Sequence, residues 1–283
     1  MTDEALDTLI STAWLAAHLG EPDLRIVDAT WYLPHLKRDA RAEFAQAHIP
    51  GAVFFDIDAI ADRNTPLPHM LPAAEPFARA VGALGIGDGD RVVAYGGRNL
   101  IASARVWWTF RVFGHTRVGV LDGGLSTWRA EGRPLESGTP QPATRTFTAR
   151  FHPELVRDLA QMRANLERRR EQVLDARSAG RFAATESEFR PGIRGGHIPG
   201  SLNLPYDRLF RPDDGTLLPQ DALRHAFERS GIDPTKPAVM TCGSGVSACV
   251  LALGLSVLGR PDVAVYDGSW TEWAGHPDTP VET

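Results

Sequence analysis

Residues 237–254 read PAVMTCGSGVSACVLALG, an apolar run that stops at Cys242, a short loop rich in Gly and Ser, and then an apolar stretch of helical character. A cysteine there, followed by Gly243, Ser244, Gly245, Val246 and Ser247, is placed as a nucleophile would be. Where a chain passes from a buried strand into a helix, successive backbone N–H groups can point inward and form a concavity for an anion. Gly243 and Gly245 ease the unusual backbone angles such a loop needs. A cysteine facing a helix N-terminus is favoured as thiolate, and Ser244 and Ser247 add hydroxyls. A buried structural cysteine ahead of a flexible loop is the competing reading, and it accounts for neither the glycine spacing nor the hydroxyls.

Cys249 is the other of the two cysteines and lies inside an apolar helix pattern, so it belongs to the core. A helix between the two would hold them about 10 Å apart, beyond the reach of a disulfide. Other loop chemistries are disfavoured. No G-x-x-x-x-G-K-[ST] phosphate loop occurs, and none of residues 243–248 is basic, which removes the arginine that a cysteine phosphatase uses to clamp a phosphoryl group. There is no C-x-x-C pair, and the nine histidines are scattered without ligand spacing, so neither a metal nor an organic cofactor is expected.

The elements that must position this loop occur twice. HIPGAVFFDID begins at His48 and HIPGSLNLPYD at His197; DAT at Asp28 returns as DAR at Asp175; VGVLDGGLSTW, ending at Trp128, returns as VAVYDGSWTEW, ending at Trp273. The matches keep their order and nearly their spacing, which indicates a duplicated domain. The division is 1–137 for the first copy, 138–152 for a linker rich in Pro and Thr, and 153–283 for the second copy. In the second copy QVLDAR, SLNLPY, AVMTC and VAVYDG read as strands, and PELVRDLAQMRANLERRR, QDALRHAFERSG and GVSACVLALGLSVLG as helices. Strands alternating with helices predict an α/β fold, each copy a mainly parallel sheet with helices on both faces.

Duplication also supplies an internal control, because what both copies keep belongs to the fold and what one copy has alone is a candidate for chemistry. His48 and His197 thereby become turn anchors, and Asp122 and Asp267 loop residues ahead of Gly. Gly96 stands opposite Cys242, and no cysteine precedes Cys242. Trp107 and Trp108 fall in an apolar helix and read as packing.

These residues carry a family resemblance. The two tandem copies, HIPGAVFFDID in the first, GRFAATESEFRPGIRGGHIPG in the second, and the CGSGVSA loop resemble the two-domain rhodanese-like sulfurtransferases, most closely those acting on 3-mercaptopyruvate. The resemblance implies a rhodanese fold in each half, a catalytically inert first domain, and a Cys242 that carries sulfur as a persulfide. It implies that Arg181 and Arg190 bind the donor's carboxylate, since a planar guanidinium can bond both oxygens. The internal control favours Arg181, which meets Pro34, over Arg190, which has a counterpart in Arg41. A loop without cations next to the cysteine points to 3-mercaptopyruvate; thiosulfate as donor, and a noncatalytic module that binds a sulfur carrier, are the alternatives. The resemblance further implies a relay of Ser244 with a first-domain histidine and aspartate, by motif His48 and, less well matched, Asp39. The internal control makes His48 structural, and at this point both readings stand.

The expected partners are a small sulfur donor and a thiol or thioredoxin-like acceptor. A formal net charge of -5 and a pI near 6.0 argue against nucleic acid, and the basic run Arg168–Arg170 reads as a solvated helix face. Two cysteines cannot form a disulfide framework, the N-terminal stretch lacks the pattern of a signal peptide, and no apolar run approaches a membrane span. A monomer in the cytoplasm is the expectation.

Overall fold

Every residue of Val118–Leu121, Ala238–Thr241 and Ala264–Tyr266 is buried. Strands buried on both faces belong to parallel sheets covered by helices, because a one-sided sheet would show alternation. The computed structural model, which describes residues 6–97 and 100–283, contains two such sheets. Part of the N-terminal stretch and two residues of the first copy's loop, Arg98 and Asn99, lie outside the described residues.

The first sheet comprises β1 (Leu9–Ile10), β2 (Leu24–Asp28), β3 (Ala52–Phe54), β4 (Arg91–Tyr95) and β5 (Val118–Leu121), in the order β1-β5-β4-β2-β3. The second comprises β6 (Val156–Arg157), β7 (Gln172–Asp175), β8 (Leu202–Asn203), β9 (Ala238–Thr241) and β10 (Ala264–Tyr266), in the order β6-β10-β9-β7-β8. All strand pairs in both are parallel. The order is the same in each, as duplication requires. In the second sheet the chain runs outward from β7 to β8 and then returns to β9 on the other side of β7. Ligands of open parallel sheets bind outside the carboxyl ends of strands at such a reversal, and Cys242 is the residue that follows β9.

The segment from Pro153 to Arg170 is not one helix. A 3-10 turn at Pro153–Leu155 leads into β6, where Val156 pairs with Val265 and Arg157 with Tyr266. The helix starts only at Leu159, because Asp158 and Gln161 form a capping box. The apolar stretch after the cysteine loop becomes a helix at Ala248–Val257, and Cys249 is fully buried in it. Trp107 and Trp108 are buried in the helix Ile101–Val112.

The two HIPG turns are held alike. His48 Nδ1 donates to the Phe44 carbonyl at 2.8 Å, and its Nε2 lies 3.2 Å from Glu136 Oε1. His197 Nδ1 donates to the Phe182 carbonyl at 2.9 Å, and its Nε2 lies 3.6 Å from Glu282. Each ring stacks on that phenylalanine, with centroids 4.0 Å apart for Phe44 and 3.7 Å for Phe182. Glu136 and Glu282 each also accept from a turn glycine, Gly51 and Gly200. The internal control thus identified a turn-anchoring device present twice.

By its contacts the chain forms two compact units. The first holds residues up to Asp62, Pro72–His152 and Pro212–Thr216, and the second Arg63–Leu71, Pro153–Arg211 and Leu217–Thr283. Residues 138–152 contain no helix or strand, and their backbone bonds to the first unit, Arg145 to Gly82, Arg150 to Phe113 and His152 to Val112. Phe147 is buried there, against Phe77 and Phe110. Among the described residues no helix is long and apolar enough to cross a membrane.

Candidate active site

Cys242 is 1% exposed at the foot of the loop. The loop is tied down through its carbonyls: Trp270 N–H donates to the Cys242 carbonyl and Thr271 N–H to that of Gly243, both at 2.9 Å. The Thr271 hydroxyl adds a second bond to the Gly243 carbonyl at 2.6 Å, and the Cys249 thiol donates to the Gly245 carbonyl at 3.2 Å. With the carbonyls held, the amides of Gly243, Ser244, Val246 and Ser247 donate to no protein group among the described residues. Unpaired amides in a largely buried loop are a cradle for an anion, because buried N–H groups otherwise find partners. Gly245 sits at φ +72°, the left-handed region where a side chain would be strained. Ser247 is the residue before the helix, and its side chain makes no capping bond.

Ser269 completes the frame. Its Oγ accepts from Cys242 N–H at 3.2 Å and donates to the Tyr266 carbonyl at 2.7 Å. To do so Ser269 adopts φ +50°, where a non-glycine residue is strained. Its counterpart in the first copy is Gly124, at φ +56°. The first copy keeps the backbone frame, with Leu125 N–H donating to the Gly96 carbonyl and Ser126 N–H to that of Gly97. It lacks both the thiol and the hydroxyl.

Arg181 and Arg190 converge on this loop. A Cβ added to Gly243 would stand 3.0 Å from Arg181 Nη2 and 4.0 Å from Arg190 Nη1. Arg181 is 8% exposed, and both its Nε and Nη2 bond Glu188 Oε2. Its guanidinium lies over the Phe189 ring, 4.3 Å from the centroid. Glu188 Oε1 accepts from Arg177 Nη1 at 2.6 Å, and Arg177 in turn bonds Asp175 through Nε and Nη2. Arg177, Glu188 and Ser269 were not singled out from the sequence.

The histidine against Ser244 is His69, not His48. His69 Nδ1 lies 3.0 Å from Ser244 Oγ, within the second unit, to which the segment Arg63–Leu71 belongs. Leu71 N–H donates to Asp267 Oδ2 at 2.8 Å, which anchors that segment. Both ring nitrogens of His48 are engaged by Phe44 and Glu136, and Asp39 caps the helix Ala40–Gln46 through Ala42 N–H. His69 lies in RNTPLPHML, and the corresponding loop of the second copy, RPDDGTLLP, has no histidine, so the internal control could have flagged it as unique to one copy.

A doubled parallel sheet with one cysteine loop at its point of strand reversal defines a class: tandem domains of which one carries a cysteine loop. Rhodanese-like domains match residues 11–131 and 158–276. The 3-mercaptopyruvate sulfurtransferase of Homo sapiens is 48% identical over 271 residues, covering 94% of this chain and 91% of that protein. The mitochondrial thiosulfate/3-mercaptopyruvate sulfurtransferase 1 of Arabidopsis thaliana is 47% identical over 298 residues, covering 98% of this chain and 78% of that protein. The crystal structure of SseA from Escherichia coli, a 3-mercaptopyruvate sulfotransferase, superposes with a TM-score of 0.86 at 39% identity, covering 93% of this chain and 98% of that one. The chain belongs to the rhodanese-like sulfurtransferase family. It is a sulfur-transferring enzyme of the two-domain type.

Proposed function

We propose that the protein takes sulfur from 3-mercaptopyruvate, holds it as a persulfide on Cys242, and passes it to a thiol, a thioredoxin-like protein or cyanide. One observation carries the choice of donor: two guanidiniums converge beside Gly243 while residues 243–248 carry no charge. A single carboxylate matches two arginines set to one side of the nucleophile. In the first half-reaction the Cys242 thiolate attacks the donor's sulfur. The carbon–sulfur bond breaks, its electron pair goes to carbon, and pyruvate leaves as its enolate. Arg181 and Arg190 hold the carboxylate, and the unpaired loop amides stabilise negative charge on the transferred sulfur. Ser244, oriented by His69, delivers a proton to the enolate carbon, and the proton that the donor's S–H gives up as the persulfide anion forms restores the hydroxyl. In the second half-reaction an acceptor thiolate or cyanide attacks the outer sulfur, the sulfur–sulfur bond breaks, and the Cys242 thiolate is restored. The residues supply each step without metal or organic cofactor.

Thiosulfate is the second donor to consider, because guanidiniums attract its two charges as well. The test is the initial rate of sulfur transfer to cyanide from each donor, in wild type and Cys242→Ser. A preference for 3-mercaptopyruvate that disappears in the variant supports the reading. A preference for thiosulfate keeps the persulfide and replaces the donor, and full activity in the variant sinks both. We place the protein in a reducing cytoplasm as a monomer, on the strength of two unpaired cysteines and of two units within one chain.

A further inference from the structure

We propose that Glu188 sets which donor the site prefers, by partly neutralising Arg181 beside the cysteine loop. The inference rests on reading Arg181 as a donor-binding arginine. Asp175, Arg177, Glu188 and Arg181 form a chain of alternating charge, with side chains 1%, 0%, 5% and 10% exposed. Each carboxylate lies between or beside guanidiniums, and the chain ends at the loop, where Arg181 Nη2 approaches Gly243. Arg177 is fully committed to Asp175, Glu188 and the Gly196 carbonyl, so it serves as the fixed post to which Glu188 is tied.

Among the described residues of the first copy no such chain occupies the corresponding positions. At the place of Arg177 stands Thr30, whose N–H bonds Asp28; at the place of Arg181 stands Pro34; and at the same remove from its HIPG histidine as Glu188 stands Asp39, a helix cap. The charge chain accompanies the cysteine, and the described residues that correspond to it in the first copy carry no such chain.

Its effect follows from charge. Glu188 Oε2 takes both Nε and Nη2 of Arg181, the two donors of one face of the guanidinium, and leaves Nη1 without a protein partner among the described residues. An arginine so paired offers an incoming anion fewer donors and a weaker field. A monoanionic carboxylate, aided by Arg190, tolerates this; thiosulfate, with two charges, loses twice as much attraction to Arg181. In a largely buried site salt screens that attraction poorly, so the loss is felt in full.

The test measures kcat/KM for thiosulfate and for 3-mercaptopyruvate, with cyanide as acceptor, in wild type, Glu188→Gln, Arg181→Ala and the double variant. In Glu188→Gln the ratio of thiosulfate to 3-mercaptopyruvate is expected to rise about tenfold, through KM for thiosulfate, and the rise should change little with added salt. On an Arg181→Ala background, Glu188→Gln should leave the ratio unchanged. An equal fall for both donors assigns Glu188 to packing and overturns the proposal, as does a shift in ratio that persists without Arg181. Should the glutamine variant fail to fold, Glu188→Ala removes the same charge without setting an amide against Arg177, and is read in the same way. Arg181→Ala with wild-type KM for both donors overturns the arginine reading and this proposal with it. If Arg181→Ala raises KM and Glu188→Gln leaves the ratio untouched, only the role of Glu188 falls.

Discussion

His69 Nδ1 lies 3.0 Å from Ser244 Oγ although 175 positions separate them in the chain. His69 reaches this place at φ +61°, a backbone state that disfavours any side chain. Strain of this kind persists where the surroundings over-determine it, and it gathers at functional sites. His69→Gly and His69→Ala separate the two effects. Both should lose about a hundredfold in kcat if the imidazole serves proton delivery through Ser244. The glycine variant should be the more stable of the two by about 1 kcal/mol, since glycine accepts the positive φ. Steady-state rates and urea midpoints check this; wild-type kcat in both variants removes His69 from the mechanism.

Ser269 poses the same trade within the loop frame. Ser269→Gly should release about 1–2 kcal/mol of backbone strain and at the same time leave the Cys242 N–H without its acceptor, a loss of about the same size. Stability should therefore stay within about 1 kcal/mol of wild type while sulfur transfer falls about tenfold. A variant that is destabilised and fully active contradicts the positioning role.

Gly243→Ala would set a methyl group 3.0 Å from Arg181 Nη2. The guanidinium must retreat by a few tenths of an ångström against its bonds to Glu188. KM for 3-mercaptopyruvate should rise severalfold, with little change in kcat or in thermal midpoint, because the clash is with the end of a side chain. An unchanged KM would place the donor carboxylate elsewhere.

Incubation with 3-mercaptopyruvate and no acceptor should add the mass of one sulfur atom to the peptide bearing Cys242 and none to Cys249. Both thiols are buried, but Cys249 is committed to the Gly245 carbonyl inside a helix. Mass spectrometry of the digested protein decides between them.

The first copy carries a pH signature of its own. Burial raises the Asp28 carboxyl above its ordinary value, against the opposing bonds from Thr30 and Tyr95. The folded chain therefore binds this proton more tightly than the unfolded chain does. The associated stability is present in full below the unfolded value and is lost as pH rises through the folded one. Asp28→Asn keeps an acceptor for Thr30 N–H and cannot ionise. Its urea midpoint should gain on that of wild type as pH rises from about 4 to 7, and a constant difference across that range would refute the assignment.

What the sequence made legible was local or repeated. The HIPG and DG matches carried the duplication, and the solitary Cys242 against Gly96 marked the candidate site, because both are comparisons between short stretches. The short β6 was hidden inside a helical pattern, since only the capping box at Asp158 and pairing with β10 break that pattern. His69 was hidden because its partner is distant in the chain. Ser269 was in view as DGS against DGG, yet its meaning depends on φ, which spacing does not reveal. Glu188 was quoted within the motif that carries Arg181 and Arg190, and its double bond to Arg177 and Arg181 emerges only in three dimensions.

Segment 63–71 comes from the first repeat yet belongs to the second compact unit, and 212–216 makes the opposite exchange. Modularity is thereby reduced: scission at Pro153 would part the cysteine-bearing half from His69, whose Nδ1 lies 3.0 Å from Ser244 Oγ. Each repeat thus lends one loop to the other's compact unit, so the border between the units does not follow the border between the repeats.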